Sequence, residues 1–141
     1  MHYFAYGSNM NFAQMGDRCH GSRFIEKVFL EDFKFVYDGH SKKRNGAVGN
    51  IIEHNGEVVW GCLFEITEDD LKILDKCEGY HSNSYDRKEF KVQNEKGNTY
   101  IAIAYFRIGK EIGKPSQEYR QIVIQGATNC GLPRIYIDRY L

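Results

Sequence analysis

Two short stretches of this sequence carry side chains suited to chemistry. The first is Tyr6-Gly7-Ser8-Asn9, which follows an aromatic-rich segment, His2 to Tyr6, that reads as a buried strand. A glycine at the strand end lets the backbone turn sharply, so successive N–H groups can converge on one concavity. Such a nest, at the mouth of a helix, suits a carboxylate or phosphate. The same four residues also suit a plain strand-to-helix turn capped by Ser or Asn. They are not a P-loop, because the second Gly and the Gly-Lys-Ser/Thr ending are missing. Nor are they a nucleophile elbow, which needs a glycine two residues after Ser8.

The second stretch is Leu74-Asp75-Lys76-Cys77-Glu78-Gly79-Tyr80. It places Glu78 in the last turn of a helix, where unpaired carbonyls disfavour an anion. If Tyr80 and Tyr85 also limit its hydration, its pKa rises towards neutrality, as a general acid or base requires. The alternative is an exposed glutamate beside Lys76.

Other reactive residues point elsewhere. The five histidines (His2, His20, His40, His54, His81) show no metal spacing. His81, three residues past Glu78, offers only a strained pairing with Ser8 as nucleophile. The four cysteines (Cys19, Cys62, Cys77, Cys130) contain no C-x-x-C pair, and the side chains of the adjacent Cys19-His20 diverge. The expectation is therefore no metal site, with four reduced thiols packed as small hydrophobes.

The 19 Lys+Arg balance the 19 Asp+Glu, which removes bulk charge as a reason to bind nucleic acid or an anionic membrane. The opening residues lack a basic n-region and a long apolar h-region, and no apolar run approaches the roughly 18 residues of a membrane span. A cytoplasmic protein with a small-molecule ligand is expected, with a homodimer as an option.

The elements that must position these residues are read from periodicity and punctuation. With no linker or repeat, residues 1–141 read as one domain. After the first strand, a short helix starts from Asn9 or Asn11. Strand-like segments follow at Phe24–Leu30, Phe33–Tyr37, Ala47–Glu53 and Val58–Ile66, with Asn55-Gly56 predicting a hairpin turn between the last two. The run His40 to Gly46 reads as a solvated loop. Thr67-Glu68-Asp69-Asp70 is a variant capping box for a helix that stops at Gly79. Strands resume at Tyr85–Val92 and Thr99–Arg107, the latter expected to be buried on both faces. A second helix begins at Pro115-Ser116 and ends at Gly131, before a last short helix or turn. The fold class is α+β, a small barrel-like mixed β-sheet with flanking helices.

Five pieces, in order, resemble the γ-glutamylcyclotransferase family of AIG2-like fold: Tyr3-Phe4-Ala5-Tyr6-Gly7-Ser8-Asn9-Met10; Val58-Val59-Trp60-Gly61; Leu74-Asp75-Lys76-Cys77-Glu78-Gly79; Pro115-Ser116-Gln117-Glu118-Tyr119; and Gly126-Ala127-Thr128-Asn129-Cys130-Gly131-Leu132-Pro133. The compact stretch from Met10 to Cys19 looks more like bacterial members than the longer animal enzymes. The resemblance implies cofactor-free release of 5-oxoproline from a γ-glutamyl compound. It implies Glu78 as the acid–base residue, and a substrate-binding loop of Tyr3, Phe4, Ala5, Tyr6, Gly7, Ser8 and Asn9. Tyr85 and Tyr119 complete the implied site. A non-catalytic binder of a γ-glutamyl compound and an amidohydrolase using Ser8 are the competing readings.

Overall fold

A computed structural model describes residues 1–82 and 84–141. The elements run β1 (His2–Ala5), a helical turn at Ser8–Met10, α1 (Phe12–Arg18), β2 (Arg23–Ser41), β3 (Gly46–Glu65), α2 (Glu68–Cys77), a turn at Tyr80–Ser82, β4 (Asp86–Gln93), β5 (Thr99–Phe106), α3 (Gln117–Cys130) and α4 (Arg134–Tyr140). The strands close a barrel in the order β1-β3-β2-β4-β5. β1 closes it by pairing antiparallel with β3 and parallel with β5, at Tyr3 opposite Ile103. The expected barrel-like mixed sheet with flanking helices is the architecture observed.

Local chemistry accounts for the helix boundaries. The Thr67 side chain accepts from the Asp70 N–H while the Asp70 carboxylate accepts from the Thr67 N–H, a reciprocal cap for α2. α1 starts from Asn11, whose side chain accepts from the Gln14 N–H. Ser116 caps α3 in the same way, and Gly131, at φ 77°, ends it in the left-handed conformation that glycine adopts without steric cost.

Two strand expectations need correction. Asn55-Gly56 does not turn a hairpin: it lies within the continuous β3, and the turn joining β2 to β3 falls at Lys42–Asn45. At Asn55-Gly56 the register skips from Glu31↔Val58 to Phe33↔Glu53, and Asp32 (φ 64°) accepts from the Gly56 N–H at 3.0 Å. Asn-Gly tolerates positive φ, and a bulge that bends a long hairpin uses that tolerance as readily as a turn does. The reversal uses a second Asn-Gly pair, Asn45-Gly46, with Asn45 at φ 57°. β5 is not buried on both faces either. Ala102, Ala104 and Tyr105 are inside, whereas Ile101 is 55% exposed, because this strand alternates as a barrel wall does.

The interior is filled by Phe4, Met10, Val28, Leu63, Leu74, Val92 and Val123, each essentially without solvent contact. Burial of side chains of this kind is worth about 1.5–3 kcal/mol each. β3 crosses β1 so closely that a Cβ on Gly61 would stand 2.3 Å from the Ala5 carbonyl oxygen. The expectation of four free thiols is also corrected. Cys62 on β3 and Cys130 at the end of α3 are joined as a disulfide, their Cα atoms 5.9 Å apart, while Cys19 and Cys77 are free.

Candidate active site

At one end of β1 a small cavity is lined by Tyr3, Tyr6, Gly7, Ser8, Asn9, Gly49, Glu78, Tyr85, Tyr105 and Tyr119. The topology that assembles it is simple. β1 delivers the Tyr6–Asn9 loop, the C-terminal end of α2 delivers Glu78, and the start of α3 delivers Tyr119. Eight of the ten sequence-predicted residues are thereby brought together. Phe4 and Ala5 are not: both are buried away from the cavity lining, Phe4 with no exposed surface.

Glu78 is the C-cap of α2 rather than part of its last turn. Burial raises its pKa above the ordinary 4.5, against the pull of the Arg18, Arg107 and Arg44 guanidiniums. Desolvation therefore dominates, as a partly dry pocket dictates. The tyrosines around it are held neutral by the same burial. Tyr3, Tyr6, Tyr85, Tyr105 and Tyr119 are all raised above 10.0, with the Glu78 charge adding to the effect at each. The cavity wall is thus a set of protonated hydroxyls around a single carboxyl group.

Most of those hydroxyls are committed. Tyr6 donates to the Tyr105 carbonyl at 2.6 Å, and Tyr105 donates to Asp75 at 2.6 Å. Tyr3 accepts from the Asn9 amide at 3.0 Å. Tyr119 accepts from the Gly49 N–H at 2.9 Å, which leaves its own proton available to the cavity. In the loop, the carbonyls of Gly7 and Ser8 accept from Met10 and Asn11. Among the described residues, the N–H groups of Gly7, Ser8 and Asn9 donate to no protein acceptor.

Comparison with known proteins settles the family. Residues 58–140, a stretch that includes Glu78, Tyr85 and Tyr119, match the AIG2-like family. The chain is 30% identical to the human protein named gamma-glutamylcyclotransferase, over 97% of this chain and 75% of that one. This chain belongs to the AIG2-like family. A bovine gamma-glutamylcyclotransferase is 31% identical over 95% of the chain. A solved structure titled gamma-glutamyl cyclotransferase superposes with a TM-score of 0.94 at 30% identity, covering 98% of this chain and 84% of that one. These AIG2-like relatives support a cyclotransferase, hence enzymatic, function. No helix among the described residues is long and apolar enough to cross a membrane.

Several AIG2-like site residues escaped sequence reasoning. Gly49 sits between two site tyrosines, and a glycine inside a strand-like run was the signal that a side chain approaches its backbone closely. Gln14 had no such signal. Its amide donates to Ser8 Oγ at 2.8 Å and to Asn9 Oδ1 at 3.0 Å, while its carbonyl accepts from Arg44 at 2.8 Å. Ser8 is therefore held by an amide and not by a base. His81 is exposed and lies against Tyr80, so the Ser8–His81 pairing is not assembled.

Proposed function

We propose that this chain is a γ-glutamyl cyclotransferase in which Glu78 is the acid–base residue. The α-amine of a γ-glutamyl group attacks its own γ-carbonyl. One C–N bond forms, the C–N bond to the leaving group breaks, and 5-oxoproline is released with an amine or amino acid. Electrons and atoms balance without an oxidant, reductant or co-reactant.

The residues fall into natural roles. A free α-amine titrates near about 8, so it is partly protonated at neutral pH and must lose a proton before it attacks. Glu78, with its raised pKa, takes that proton and returns it to the departing nitrogen. The N–H groups of Gly7, Ser8 and Asn9 receive the α-carboxylate, and the Tyr119 hydroxyl donates to the carbonyl oxygen as it gains charge. Tyr3, Tyr6 and Tyr85 wall the pocket and limit the competing attack by water. Because nucleophile and electrophile belong to one molecule, folding the substrate into a reactive conformer supplies much of the acceleration.

The observation that carries the proposal is the carboxyl of Glu78, raised by burial inside a cavity whose other groups are neutral donors. Incubation with γ-glutamyl dipeptides and γ-glutamyl-amines tests it. Formation of 5-oxoproline supports it, glutamate would mean hydrolysis, and no turnover would mean a binding protein.

A further inference from the structure

Outside Glu78 the cavity opens into a wider vestibule whose lining includes Arg18, Lys43, Arg44, Lys76 and Arg107. This is a concentration of positive charge in a chain whose totals balance at 19 and 19. Glu78 is the one carboxylate among the lining residues. Arg107 is already neutralised by the buried Asp38. Among the described residues, Arg18, Lys43, Arg44 and Lys76 form no ion pair with any Asp or Glu.

The two arginines are nevertheless held in place. Arg18 donates to the Asn9 side-chain oxygen at 3.0 Å, and Arg44 donates to the Gln14 side-chain oxygen at 2.8 Å while lying 5.3 Å over the Tyr119 ring. Neutral amides thus orient both guanidiniums without cancelling their charge, and each keeps N–H donors for a further acceptor. A guanidinium fixed in this way receives a carboxylate in bidentate fashion. Lys43, on the turn between β2 and β3, and Lys76, near the end of α2, are exposed and add unpaired charge from two other elements.

The charge count indicates what the vestibule accommodates. Glu78 and the reacting amine share one proton, so together with the α-carboxylate of a γ-glutamyl group they carry a net charge of −1 before and after the transfer and offset one of the four unpaired cations. The others remain for the leaving group. Building on the cyclotransferase reading above, we propose that the vestibule selects substrates whose leaving group carries two negative charges: an acidic amino acid, or a short peptide with two carboxylates. A leaving amine without a carboxylate meets no partner there, and a cationic one is repelled.

The test uses three substrates, γ-glutamyl-glutamate, γ-glutamyl-alanine and γ-glutamyl-methylamine, whose leaving groups carry two, one and no carboxylates. At low salt kcat/KM should fall in that order, by about tenfold between the extremes, and the spread should contract as salt screens the vestibule. Lys43→Ala combined with Lys76→Ala should compress the ratio between the first and last substrates. Being a ratio, it is insensitive to the fraction of protein folded. Titration calorimetry with Glu78→Gln reads the same preference as binding, independently of turnover. Equal affinity for all three compounds, or equal kcat/KM, overturns the inference. If none yields 5-oxoproline yet binding keeps the order, the cyclotransferase reading fails and the vestibule assignment stands. If none binds, both fail.

Discussion

The Tyr85 hydroxyl donates to the Gly49 carbonyl at 2.7 Å. Its ring lies beneath the Arg107 guanidinium, 4.5 Å from Cζ to the ring centre, and Arg107 is tied in turn to the buried Asp38. On the amide side of the same residue, the Gly49 N–H donates to Tyr119 at 2.9 Å. One glycine of β3 therefore sets the spacing of two tyrosines that lie 36 and 70 residues further along the sequence, both beyond Glu78. The cavity's width follows from a backbone position rather than from a catalytic side chain.

Tyr119→Phe removes an acceptor from a buried N–H and a donor from the cavity. The stranded N–H should cost about 1–3 kcal/mol of stability, read from denaturant unfolding. The lost donor should lower kcat by about a hundredfold, the usual effect of deleting one oxyanion donor. Tyr85→Phe frees a carbonyl but takes no donor from the substrate, so its stability should fall while kcat falls much less. Equal kcat losses in the two variants would reject the separate role given to Tyr119.

Two glycines of the site should respond differently to alanine. A Cβ on Gly7 would lie 3.7 Å from the Tyr119 hydroxyl, an ordinary contact. Gly7→Ala should fold normally and raise KM, because the methyl group occupies substrate space. A Cβ on Gly49 would stand 3.0 Å from the Phe35 ring and 3.3 Å from the Tyr119 hydroxyl. Phe35 is buried, so Gly49→Ala should cost about 1–3 kcal/mol through overpacking as well as activity. Melting temperatures and steady-state kinetics on both variants check the contrast.

Helix boundaries were legible in the sequence because their causes are local: Thr67 with Asp70, Ser116, Gly79 and Gly131 act within a few residues. Glu78 was legible because the end of a helix and nearby tyrosines predict desolvation. The Gly49 clamp and the Gln14 network were not, since they depend on which strands a closed barrel brings side by side. Asn55-Gly56 misled for a related reason. Positive φ is a property of the residues, but whether it makes a turn or a bulge is decided by the partner strand at Asp32.

The cysteines should react in three classes. Cys77 is exposed, whereas Cys19 is buried and its thiol is pushed up to about 12, chiefly by burial. A thiol reagent should therefore modify one cysteine promptly in the native protein, since reactivity follows the thiolate. It should modify two after denaturation and four after denaturation with reduction. Reduction of Cys62–Cys130, which spans 68 residues, should cost about 4 kcal/mol if loop-closure entropy governs the effect. Four thiols in the denatured but unreduced protein would show that the pair is not bonded.

Glu78 should leave opposite signatures in stability and in turnover. Its folded pKa lies above 4.5 because burial outweighs the attraction of Arg18, Arg107 and Arg44. Such a group binds its proton more tightly in the folded state. The stability it contributes is fully present below the unfolded pKa and is lost as pH rises through the folded one. Glutamine never ionises, so the denaturation midpoint of Glu78→Gln should gain on the wild type as pH rises above the ordinary glutamate range, with the gap levelling once Glu78 is ionised in both states. Turnover should move the other way. Wild-type kcat should climb with pH through the raised pKa as the base form appears, and Glu78→Gln should lose at least about a hundredfold together with that acidic limb. A variant that gains no stability at high pH would contradict burial as the dominant influence on Glu78. One that retains near-normal kcat would remove Glu78 from the proton transfer altogether.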